Sequence, residues 1–217
     1  MGLRPGGPPC GDRGLAGLSG VLFVRHASTP GMRAARFPAP DEEADAASLA
    51  RATALTRSPA GPLAGAATGA AAGPVVLAGP SVAARQTVDA LRLAARVVPA
   101  LAEVDCGRWR GLPYERVAWE EPDALASWLA DPHATPHGGE SLAAHAERVA
   151  AWLESVRAEP GVVAVCDAGT IRAALGHALG LDPLSAARFD LAPLSVTELT
   201  VTRAGWRVAH VNRKVLL

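Results

Sequence analysis

A chain of 217 residues with 49% hydrophobic content can bury one sizeable core, which excludes a disordered polymer and predicts a single globular domain. Lys+Arg and Asp+Glu balance at 21 each, so no global field draws the chain to nucleic acid or an anionic membrane, and any anion site must be built locally. Cys10, Cys106 and Cys166 have unrelated spacings, which argues against a disulfide framework or a structural zinc site and makes the cytoplasm the natural compartment.

The opening MGLRPGGPPCGDRGLAGLSG has no continuous apolar run. Residues 1–19 are therefore expected to form a flexible tail rather than a signal peptide or membrane span, followed by one domain over 20–217. VLFV, residues 21–24, reads as a buried parallel strand with RHASTPG as the loop at its C-terminal end. DEEADAA then SLARATAL predict a surface turn and a modest helix up to residue 57, while 58–73 are of low complexity, with Ala favouring helix and Gly and Pro opposing it. PVVLAGPS, residues 74–81, predicts a second buried strand ending in a Gly-Pro turn, and VAARQTVDALRLA has helical apolar spacing.

After an extended VVPALAEV, the chain runs through DCGRWRGLPYERV into two short helices, 116–121 and 123–129, divided by Pro122. DPHATPHGGES is a polar loop. Over 141–157, Leu142, Val149, Trp152, Leu153 and Val156 share one helical face, away from Glu147, Arg148, Glu154 and Arg157. VAVCDAGTIRAALGHALG predicts a buried strand, a tight turn and a helix, and SVTELTV and WRVAHVN alternate around Arg203-Ala204-Gly205 as a hairpin. Strands interleaved with helices predict an α/β three-layer sandwich, a mainly parallel central sheet with helices on both faces.

In such sheets chemistry gathers at the C-terminal strand ends. Three loops qualify there: one carries Arg25 and His26, one leads to Arg85, and one carries Asp167, with Glu103 available between the last two. Two guanidinium forks can neutralise a phosphoryl dianion while an imidazole attacks phosphorus. Glu103 could protonate the leaving oxygen if burial or nearby negative charge raised its pKa. Thr29, Glu140 and Gly169 are candidate substrate contacts, Arg33 and Arg36 could grip a second anionic group, and Trp109 could frame the pocket, whereas Trp128 and Trp152 have core spacing. Cys166 reads as a small buried packing residue. His133 and His137 have a metal-like spacing but no adjoining Cys or carboxylate cluster, so no metal is expected.

The order of these motifs resembles the histidine phosphatase, or phosphoglycerate mutase-like, superfamily over roughly residues 20–212. VRHAST resembles the family's Arg-His-Gly signature with Ala27 at the glycine, which implies His26 as the nucleophile that becomes phosphohistidine. GPSVAARQT resembles Ser-Pro-x-x-Arg-Ala-x-Gln-Thr, which implies Arg85 as a second phosphate-binding arginine beside Arg25. LAEVDCGRWRGL implies Glu103 as proton donor, and PHGGESL resembles the family's Pro-x-Gly-Glu-Ser loop. VCDAGTIR resembles Val-Ser-His-Gly-Gly-Thr-Ile-Arg but places Asp167 at the second catalytic histidine.

A carboxylate about 4 Å from a phosphate charge costs roughly 4 kcal/mol at an effective dielectric near 20, nearly three powers of ten in rate if felt in full. His177 lies about 15 Å farther along the helix and does not replace the missing group. A protonated Asp167, a substrate with a cation or hydroxyl at that point, or loss of phosphoryl chemistry would each resolve the conflict. The resemblance implies a metal-independent phosphomonoesterase without cofactor, acting on a small phosphorylated or anionic metabolite rather than nucleic acid or membrane, and a homodimer is compatible with it. Two alternatives stay open: a redirected biosynthetic enzyme using His26, Asp167 and Glu103 for acid/base chemistry, and a non-catalytic phosphate-ligand-binding protein.

Overall fold

The computed structural model describes residues 20–56 and 74–214. The expected tail at 1–19 and the low-complexity segment 58–73 lie outside the described residues. Six strands form one sheet in the order β3-β2-β4-β1-β5-β6. They are β1 (Gly20–Arg25), β2 (Val75–Ala78), β3 (Arg96–Val97), β4 (Val162–Cys166), β5 (Ser195–Thr202) and β6 (Gly205–Lys214). The first four run parallel, and the C-terminal hairpin adds β5 and β6 antiparallel beside β1.

The eight helices among the described residues are α1 (Pro30–Arg33), α2 (Ala46–Leu55), α3 (Val82–Ala90), α4 (Tyr114–Glu120), α5 (Pro122–Ala130), α6 (Leu142–Ser155), α7 (Ala168–Leu179) and α8 (Pro183–Ala186). Side chains alternate across the buried strands, so each strand feeds two cores. Val21, Phe23, Val162 and Ala164 face α6 and α7, meeting Trp152 and Ile171 among others. Leu22, Val24, Val163 and Val165 face α2 and α3, meeting Ala52 and Val88. This gives the expected three layers. No helix among the described residues is long and apolar enough to cross a membrane.

Phe23 is fully buried and meets Trp152 edge-on at 5.9 Å between ring centroids. Phe23→Ala should therefore cost about 3–5 kcal/mol of stability. Denaturant unfolding should show a lower midpoint at unchanged slope. A cost under about 1 kcal/mol would contradict this account of the core.

The helices start and stop on local chemistry. Ser81, Ser141 and Asp167 cap α3, α6 and α7 by accepting from the backbone N–H three residues on. Gly180 closes α7 in the left-handed conformation, φ 66. The extended stretch after α3 yields only the two-residue β3 and a 3₁₀ turn at Pro99–Leu101, because Pro99 removes a ladder donor. Between β3 and α6 the chain leaves the sheet, and Cys106, Trp109, Val117 and Trp128 from it pack with Phe37 into a third small core. This excursion stands beside the C-terminal ends of β1 and β4, and with them it walls in the site.

Candidate active site

A cavity of about 520 Å³ opens at the strand ends. Arg25, His26, Thr29, Arg36, Glu103 and Gly169 line it, as the sequence led one to expect. Arg172, Glu42 and His145 line it as well, and the sequence reading named none of the three. Its far wall is apolar, with Phe37, Tyr114, Trp128, Leu129 and Leu184.

His26 is 5% exposed and sits immediately after β1. Its backbone N–H donates to the Cys166 carbonyl at 2.9 Å, which locks the ends of β1 and β4 together. Nδ1 lies 2.7 Å from the Ala27 carbonyl oxygen. A carbonyl only accepts, so Nδ1 carries the hydrogen and Nε2 keeps its lone pair. Burial lowers the His26 pKa below the usual imidazole range, while the Ala27 carbonyl and the Asp167 charge work the other way. The net result is a neutral imidazole near pH 7.

Arg25, at the end of β1, donates from Nη1 to the Leu191 carbonyl and from Nη2 to the Met32 sulfur at 3.7 Å. Its buried Nε has no partner among the described residues. An unpaired buried guanidinium N–H is costly unless an incoming anion takes it. Arg172, one turn into α7, is held by Nε donating to the Phe189 carbonyl at 2.8 Å. Glu103 approaches from the connection after the Pro99–Leu101 turn. Burial pushes its carboxyl well above the usual range, the Asp167 charge pushes the same way, and Arg25 opposes. Burial and the Asp167 charge therefore both favour the protonated carboxyl.

Arg85 does not reach this site. It is exposed and borders a separate shallow hollow with Val82, Asp89 and Val97. The reason is helical register: Ala83 and Thr87 are on the buried face of α3, and Arg85 lies about 200° around the helix from Ala83. Laid over Gln86-Thr87, the family's Arg-Ala-x-Gln-Thr pattern places its arginine at residue 83, and Ala83 lines the cavity. The expected second phosphate-binding arginine is thus an alanine here. Ala83→Arg should restore a guanidinium facing the cavity and tighten orthovanadate or phosphate binding about tenfold to a hundredfold, the scale of one charged hydrogen bond. Calorimetric titration checks this, and unchanged affinity would mean that residue 83 does not face the anion.

Other expected contacts are also placed elsewhere. Trp109 is fully buried in the third core, donating from Nε1 to Glu121 at 3.0 Å, because its large apolar surface is better buried than presented to a polar ligand. Glu140 is held in a two-pronged pair with Arg148, at 2.9 and 2.7 Å, fastening the loop to α6 instead of lining the cavity. Arg33 pairs with Asp45 at the surface. His177 pairs with Glu154 at 2.7 Å on the outer side of α7.

Asp167 is the decisive case. It is 3% exposed and does not line the cavity. As the N-cap of α7 it accepts from the Thr170 N–H at 2.9 Å and from the Thr170 hydroxyl at 2.6 Å. Its charge still reaches His26, Glu103 and Arg25, so it acts on the site as a field rather than as a wall. Asp167→Ala leaves a buried amide without its acceptor and should cost about 2–3 kcal/mol, whereas Asp167→Asn keeps the cap and should be nearly neutral. Equal stability of the two variants in urea unfolding would contradict the capping role.

An α/β sheet with an imidazole and a guanidinium at the end of its first strand, lining one cavity with the Glu103 carboxyl, has the phosphoglycerate mutase-like fold. Residues 21–214 match the histidine phosphatase superfamily (branch 1), and the chain belongs to that family. A stretch of 86 residues is 36% identical to phosphoserine phosphatase 1 of Hydrogenobacter thermophilus, spanning 38% of this chain and 41% of that protein. Among solved structures, the α-ribazole phosphatase of Shigella flexneri superposes with a TM-score of 0.75 at 16% identity, covering 91% of this chain and 98% of that one. The mycobacterial glucosyl-3-phosphoglycerate phosphatase does so at 0.72 and 24% identity, covering 89% and 98%. These two likenesses establish the fold.

Proposed function

We propose that the chain hydrolyses a small phosphomonoester through a phosphohistidine at His26. The observation that carries this reading is the pairing of the unsatisfied Arg25 Nε–H with the His26 imidazole, whose hydrogen is committed at Nδ1. A phosphoryl group would take the Arg25 hydrogen and meet the Nε2 lone pair. Arg172 supplies the second guanidinium that Arg85 does not, and the first amides of α7, at Ala168 and Gly169, border the same cavity.

Nε2 attacks phosphorus and the ester P–O bond breaks, while the Glu103 proton passes to the departing oxygen. Water then attacks the phosphohistidine, giving its proton to the Glu103 carboxylate. The P–N bond breaks, inorganic phosphate leaves, and both groups return to their starting states. No step calls for a metal or cofactor. The names of the relatives, covering phosphoserine, α-ribazole phosphate and glucosyl-3-phosphoglycerate, support a small organic phosphate as the substrate class. The apolar far wall favours an ester whose alcohol part carries some hydrophobic surface.

Ala83 and Asp167, standing where the family has a cation and an imidazole, favour a second reading: acid/base chemistry by His26 and Glu103 on an anionic metabolite without hydrolysis. Phosphate release from a broad panel of small phosphomonoesters, assayed in chelator, separates the two. Release from at least one ester, blocked by orthovanadate, is the expected result. A chain that binds phosphate but releases none from any ester would overturn the hydrolase reading in favour of the second.

A further inference from the structure

We propose that His145, reaching in from α6, supplies the imidazole that the Asp167 position lacks and touches the transferring phosphoryl group. This inference rests on the phosphohistidine reading. Asp167 is withdrawn from the cavity wall, and the titratable side chain that lines the cavity beside the first turn of α7 is His145. It is 3% exposed, an expensive place for an imidazole that does nothing. Its Cε1 stands 3.5 Å from where a Cβ on Gly169 would be, so the ring lies against the turn that the family pattern fills with histidine.

A row of polar groups fixes the ring. His145 Nε2 is 3.5 Å from the Thr170 hydroxyl oxygen, which in turn is 2.6 Å from Asp167 Oδ2. The hydroxyl has one hydrogen, and given to Asp167 it leaves a lone pair facing His145 Nε2. Nε2–H then points at Thr170, whose hydroxyl also stands 3.3 Å from the Ala102 carbonyl, and this leaves Nδ1 to meet an incoming group. Burial lowers the His145 pKa and Arg148 works the same way, while Asp167, Glu140 and a backbone contact with Ala102 favour the cation. A phosphoryl dianion arriving at Nδ1 would add to the cation-favouring side, and Nδ1–H would donate to it. Asp167 therefore keeps a positional part: through Thr170 it orients the imidazole that replaces its own family counterpart.

The test is orthovanadate and inorganic phosphate binding to the native chain, His145→Gln, Asp167→His and the double variant, with phosphate release measured in parallel. His145→Gln should weaken vanadate tenfold or more and lower kcat more than it raises KM. Asp167→His should make His145 dispensable, so that the double variant binds vanadate better than His145→Gln alone. In the native protein, the His145 ring nitrogens should show Nδ1 gaining a hydrogen bond by ¹⁵N NMR when phosphate binds, a readout that needs no folded variant. Vanadate binding that is unchanged in His145→Gln, or His145 ring signals that do not respond to bound phosphate, would overturn the contact alone. A native chain that binds neither anion would overturn the phosphohistidine reading and this contact with it.

Discussion

His26→Ala is expected to abolish phosphate release from every ester the native chain accepts, a loss of about 10⁴-fold or more, as befits removal of a covalent nucleophile. The two nearby thiols do not take over. Cys106 lines the cavity, but burial pushes its thiol up to about 12, and Cys166 is pushed well above its usual range by burial and by the Asp167 charge. Thiols that stay protonated are poor nucleophiles. The Thr29 hydroxyl is engaged as the cap of α1, accepting from the Met32 N–H at 3.3 Å. Vanadate affinity should fall far less than turnover, because Arg25 and Arg172 remain. Residual release within tenfold of native would move the nucleophile to another residue.

Glu103→Gln should cost about 10²–10⁴-fold on alkyl phosphates, the range of a general acid. The loss should be much smaller on p-nitrophenyl phosphate, whose leaving group departs without a proton. The sign of the pH dependence follows from the same carboxyl. Activity needs Glu103 protonated, so the rate falls as pH rises through a pKa held well above the usual carboxylate range by burial. On the acid side the rate rises as His26 loses its proton, below the ordinary imidazole value because of burial. Asp167→Asn removes a charge that raises Glu103, and the alkaline limb should move to lower pH. A limb that stays in place in that variant, or equal losses on both ester classes in Glu103→Gln, would contradict the assignment.

Much of this architecture was legible because buried strands announce themselves. The runs at 21–24, 75–78 and 162–166 are short, β-branched and bounded by turns, and each is a strand of the sheet. The alternation around Gly205 located the antiparallel edge, where Thr202 and Gly205 face each other across the turn. Arg25 and His26 were legible because they follow a strand run directly, and Glu103 because LAEVDCGRWRGL resembles a family segment; all three line the cavity. Arg85 misled because the residue type drew the match, while Gln86-Thr87 held the register that points to Ala83. His145 was hidden by its own helix: it falls three residues after Leu142 and four before Val149, on the apolar face, where a histidine reads as core. The turning of Asp167 into a cap depends on the Thr170 hydroxyl and amide, contacts that a linear sequence does not place. Arg172 and Glu42 reach the cavity from the second turn of α7 and from the loop before α2, and no spacing rule links either to His26.

The most direct test of the account is to stop the native chain during steady turnover of a ³²P-labelled phosphomonoester and ask where the label resides. The account predicts label bound to protein, stable in alkali and lost in acid as a P–N bond requires, on the peptide containing His26. It also predicts more label in Glu103→Gln if that change slows water attack more than ester cleavage. Active turnover with no protein-bound label, or label on any other residue, would contradict the phosphohistidine claim outright.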